Sequence, residues 1–100
     1  MPIYHPPLRD QQFVIHELLG AAGVLNQVPR YAEVDVETIN QVVEEAGKFC
    51  AQELLPLNRS GDEEGCHYDL QAHSVRAPAG FGSAYQRFCA AGWAGVSCDR

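Results

Sequence analysis

The sequence predicts an all-α fold with about three main helices and one long polar loop. Three observations carry that expectation. Apolar residues from Ile39 to Leu54 recur at i, i+3, i+4 and i+7, the spacing of a helix with one buried face. Proline and glycine fall between the periodic segments, where helices start and stop. The one stretch with any strand-like alternation, Asp69 to Val75, is short and poorly alternating. With 100 residues, 46% hydrophobic and 20% charged, the composition is that of an ordinary globular chain. A chain of this length hides roughly 65% of the surface its unfolded form exposes, enough for a modest core.

Residues 1 to 8 hold Pro2, Pro6 and Pro7 and begin extended, because proline has no amide donor and restricts its predecessor. A first helix follows, with Asp10 near its positive end. Its apolar set of Phe13, Val14, Ile15, Leu18 and Leu19 is wide, which predicts contacts on more than one side. Gly20 and Gly23 weaken that helix, and Pro29 ends any continuation. The second helix is expected over 35–55. Asp35 is its N-cap, Glu37 lies in its first turn and Thr38 stands three positions past the cap. Ile39, Val42, Val43, Ala46, Phe49, Cys50 and Leu54 form one face, and Glu44 and Lys48 make a favourable i, i+4 pair on the other. Full burial of the apolar stripe contributes on the order of 10 kcal/mol before entropy is subtracted. Pro56 is expected to stop the helix, leaving 57–68 as the polar loop. A short extended piece or hairpin arm is expected around His73 to Arg76. Pro78 then fits the first position of a third helix, over 78–91, with Phe81, Ala84, Tyr85, Phe88 and Ala91 on its apolar face. Gly92 is the expected C′ residue with Trp93 packing behind it, and Gly95 to Arg100 begins an element left unfinished.

The net charge of −6 argues against nucleic acid, since the seven Lys and Arg are scattered singly. It equally disfavours an anionic membrane surface and the phosphates of a coenzyme. No segment approaches the ~20 apolar residues that span a bilayer, and Met1 to Pro7 lacks the basic and apolar parts of a secretory signal. Cys50, Cys66, Cys89 and Cys98 show no C-x-x-C pair and no matched histidine spacing, so reduced thiols in a cytoplasm are expected rather than zinc or disulfides.

Candidate chemistry is sparse. His16-Glu17 starts like a zinc-protease motif, but Gly20 stands where the second histidine belongs. Gly80-Phe81-Gly82 starts like a dinucleotide fingerprint, but Tyr85 replaces the third glycine and no apolar strand precedes it. Asp62, Glu63 and Glu64 lack the alternation of a calcium loop and read as a solvated acidic turn. Cys66 beside His67 has no orienting third group, and Cys50 and Cys89 read as small residues on apolar faces. No catalytic, cofactor-binding or metal-ligating residue is assigned.

Several segments together resemble the N-terminal helical region of the acyl-CoA dehydrogenases. They are Tyr4, Pro7-Leu8-Arg9-Asp10, Phe13, His16-Glu17-Leu18, Glu44 to Cys50, and Leu54 to Cys66. Gly92-Trp93-Ala94-Gly95-Val96 is similar to the family's Gly-Trp-x-Gly-Leu stretch, with Val96 for the usual leucine. The likeness is to the branch with an N-terminal extension. It implies residues 1–34 as that extension with the first helix, and 35–100 as the incomplete start of the helical domain. It implies a parent flavoenzyme, an oxidoreductase of fatty acid metabolism that uses FAD. A glutamate removes the α-proton of an acyl-CoA, the flavin takes the β-hydride, and 2,3-enoyl-CoA results. The implied partners are the remainder of the subunit, further copies of it and an electron-transfer flavoprotein. The segment itself is expected to be scaffold, inactive alone, since the family's functional residues lie further along the chain. The alternative reading is a stand-alone helical interaction module.

Overall fold

The computed structural model describes residues 3–96. The chain forms two compact units, Met1–Gln52 and Glu53–Arg100. Most of the described chain is helical, as the periodicity predicts, with a single two-stranded hairpin added.

In the first unit, α1 spans Leu8–Gln12 and winds on as a π-helical segment, Phe13–Leu18. Asp10 lies in the first turn as expected. The π winding is a departure from the simple helix expected. Its i→i+5 bonds, such as Leu19 N–H to the Val14 carbonyl at 2.9 Å, bring residues about five apart onto neighbouring turns. Phe13, Val14, Leu18 and Leu19 are all exposed. Gly20 ends the segment in the left-handed region, at φ 55°, where a side chain is strained. A short α2, Ala21–Leu25, follows, and Pro29 opens a 3₁₀ turn, Pro29–Tyr31. The Asn26 amide ties this corner by donating to the carbonyls of Tyr31 at 3.0 Å and Val34 at 2.8 Å.

The longest helix, α3, runs Val36–Phe49. Its cap is the one the sequence indicates: Asp35 Oδ1 accepts the Thr38 N–H at 2.7 Å. Hydrogen bonds from Thr38, side chain first and amide second, hold the Asp35 carboxyl below its ordinary range. Gly47 is buried within α3, and a Cβ there would lie 2.8 Å from Pro6 Cγ and 3.5 Å from Leu8 Cδ2. The N-terminal segment therefore packs directly on helix backbone. One expected pair is different. Lys48 bonds Glu45 at 3.1 Å rather than Glu44, in an exposed pairing of little energetic weight.

The expectation that Pro56 ends the helix and opens a polar loop over 57–68 is corrected. A π-helical turn, Cys50–Leu54, succeeds α3, and a new helix α4 occupies Leu55–Glu64. Pro56 sits in the first turn of α4, where its missing N–H costs nothing and its φ suits the helix. Arg59 and Glu63 pair at 3.0 Å on the exposed face. Leu57, Gly61 and Glu64 share the other, at i, i+4 and i+7.

Beyond α4 in the second unit, β1, His67–Asp69, pairs antiparallel with β2, Ser74–Arg76, with Tyr68 opposite Val75. Asp69 Oδ1 accepts the N–H groups of Gln71 at 2.9 Å and Ala72 at 3.2 Å, which shapes the connecting turn. The final long helix, α5, is Phe81–Ala90, three residues later than the start expected at Pro78. The difference arises because Gly80, at φ 89°, interrupts helical backbone between Pro78 and Phe81. A Cβ on Gly80 would meet Leu57 Cδ2 at 2.6 Å, and one on Gly61 would meet Phe81 Cζ at 2.5 Å. The two helices thus touch through glycine. Gly92 takes the left-handed C′ conformation expected of it, at φ 85°, and a 3₁₀ turn, Trp93–Gly95, follows. Ser97 to Arg100, including Cys98, lie outside the described residues.

Glu64 joins the parts of this second unit. Its carboxylate accepts the Ala79 N–H at 3.2 and 3.3 Å and a bond from His67 Nε2 at 3.1 Å. The Ala79 amide, and then His67, hold its carboxyl below the ordinary value of 4.5.

Two outcomes follow from this packing. Gly61→Ala adds helix propensity worth about 1 kcal/mol, but the new Cβ displaces the Phe81 ring, and overpacking costs about 1–3 kcal/mol. The clash wins, so the midpoint of urea unfolding should fall; an unchanged midpoint would show that the ring moves aside freely. For Glu64, a lowered folded value means the stabilising bonds are fully present above pH 4.5 and lost as pH falls through the folded value. Glu64→Gln should lower the melting temperature at pH 7, and the gap to the parent chain should close on acidification below 4.5. A gap independent of pH would refute the carboxylate's role.

Candidate functional site

Leucines near the start of α4 and the apolar face of α5 outline a groove of about 420 Å³. Leu54 and Leu57 line one side; Phe81, Ala84, Tyr85 and Phe88 line the other. The α5 residues follow i, i+3, i+4 and i+7, so they stack along one face of that helix. Ala84, only 3% exposed, forms the floor, and its small side chain is what leaves the depression. The rings of Tyr85 and Phe88 stack with centroids 6.3 Å apart and planes at 22°. Tyr85 is 65% exposed, so this aromatic surface is open to solvent. A bond with Cys89 raises the Tyr85 phenol above its ordinary 10. Glu53 and Arg87 form an ion pair within the same unit.

In chemical terms the groove offers apolar area and a single hydroxyl. Its lining side chains include no carboxylate, imidazole, thiol or amine. One phenol is too small a donor set to hold a flavin or a coenzyme phosphate in this groove.

The polar residues singled out from sequence are engaged elsewhere. His16 Nε2 lies 2.6 Å from Asn40 Oδ1 and donates to it, joining the π-helical segment to α3. Its Nδ1 is buried with no partner among the described residues. Glu63 and Glu64 separate, the first to Arg59 and the second to Ala79 and His67. Asp62, Glu63 and Glu64 are exposed as expected, but they end helix α4 rather than lie in a loop. His67 meets Glu64 rather than Cys66. Cys50, Cys66 and Cys89 carry free thiols. Among the described residues no group of three or more His, Cys, Asp or Glu is placed to hold a metal ion, and no helix is long and apolar enough to cross a membrane. Four of the six lining residues are those expected on the apolar face of the third helix. Leu54 and Leu57 flank Pro56, which in the sequence divides them between a helix and a loop.

No protein-family model matches the chain. The chain is similar to 3-methylmercaptopropionyl-CoA dehydrogenase of Ruegeria pomeroyi, at 33% identity over 94 residues. The match takes in 94% of this chain, which spans only 16% of that enzyme's length. It supports a relationship with the acyl-CoA dehydrogenases over one segment.

An open apolar groove should take up an apolar fluorescent probe such as anilinonaphthalene sulfonate. Tyr85→Asp, which places a charge on the groove wall at an already exposed position, should reduce the fluorescence gain while leaving helix content unchanged. Equal fluorescence from both chains would assign the binding to another surface.

Proposed function

We propose that this chain is the N-terminal scaffold segment of an FAD-dependent acyl-CoA dehydrogenase, a parent enzyme that oxidises an acyl-CoA to its 2,3-enoyl-CoA. The observation that carries the reading is the 33% identity, along 94% of the chain, to 3-methylmercaptopropionyl-CoA dehydrogenase of Ruegeria pomeroyi. Within the parent, residues 1–34 are the extension with the first helix, and 35–100 begin the helical domain. FAD supplies the hydride acceptor when bound to the parent. The residues described here contribute no proton transfer and no cofactor contact.

Their part is to present apolar faces for assembly. Phe13, Leu18 and Leu19 are 55%, 67% and 61% exposed, and the groove of the second unit is equally uncovered. Surfaces of this kind mark interaction sites in soluble chains. The remainder of the subunit and further copies of it are the partners this reading supplies, with an electron-transfer flavoprotein as acceptor for the parent and the cytoplasm as its place. The same apolar faces suit a stand-alone interaction module, which makes no enzyme.

The deciding experiment is to read the source gene beyond codon 100 and purify its full product. A frame that continues, and a product whose flavin absorbance is bleached by an acyl-CoA, would support the reading. A stop codon directly after Arg100 would overturn it in favour of the module. A companion measurement addresses assembly. Light scattering of the 100-residue chain at high concentration should show dimers or larger species; a clean monomer would sink the proposed role of these faces.

A further inference from the structure

We draw no further inference here: the strongest candidate, the open apolar groove formed by Leu54, Leu57, Phe81, Ala84, Tyr85 and Phe88 along α4 and α5, carries nothing beyond the scaffold reading because nothing in the structure shows what covers it.

Discussion

Close contact between bulky side chains and bare glycine backbone is the constraint on which each unit depends. Pro6 and Leu8 reach Gly47; Phe81 reaches Gly61; Leu57 reaches Gly80. At each of these places a hypothetical Cβ lies 2.5–2.8 Å from its neighbour, closer than real carbon atoms approach. Glycine inside a helix costs about 1 kcal/mol relative to alanine. That cost is accepted at Gly47 and Gly61 because a ring or a proline gains dispersion contacts with backbone that no other residue would leave open. Gly80 adds a second requirement, since its φ of 89° also disfavours any side chain.

Such contacts hold helices together over small areas, and the burial they achieve is limited. Among the described residues the buried apolar side chains are small, Ala84 and Pro78, and no large one is fully buried. Completely burying a leucine or phenylalanine yields about 1.5–3 kcal/mol, and here Phe13, Leu18, Leu54, Phe81 and Tyr85 remain at least two-fifths exposed. Polar contacts at surfaces make up little of that difference, because pairs such as Lys48–Glu45 and Arg59–Glu63 are well solvated. The helices are thus specified locally and completed poorly. A partner that covers the remaining apolar faces would gain the burial that this chain leaves unused.

The legible parts of the fold are those with local causes. Asp35 caps α3 because a short carboxylate, followed three residues later by an amide, is sufficient in itself. Gly92 closes α5 for an equally local reason. What misled was Pro56. A proline after a long periodic run reads as a stop, yet the π-helical turn Cys50–Leu54 lets a second helix start around it. The next ten residues then hid their periodicity, because their contact face carries Leu57, Gly61 and Glu64, only one of them apolar. Glycine at a helix contact has no hydrophobic signal, and a carboxylate bound to a distant amide has none either. Reading Pro56 as a stop also separates Leu54 from Leu57, the two groove residues outside α5.

The fate of the polar groups bears on function as much as the apolar ones do. His16 is engaged by Asn40, Glu64 by Ala79 and His67, Glu53 by Arg87, and Asp35 by Thr38. Each joins two elements or finishes a helix end. A catalytic base needs a lone pair facing a cavity, with an orienting partner behind it. Here the lone pairs of Glu64 and Asp35 face backbone amides, and the groove is walled by carbon with one phenol. Hydrogen bonding is thus spent on joining elements and closing helix ends, beside apolar surface left open. In the proposed parent the chemistry falls to other segments, and what these residues offer it is apolar surface held in place by engaged polar groups.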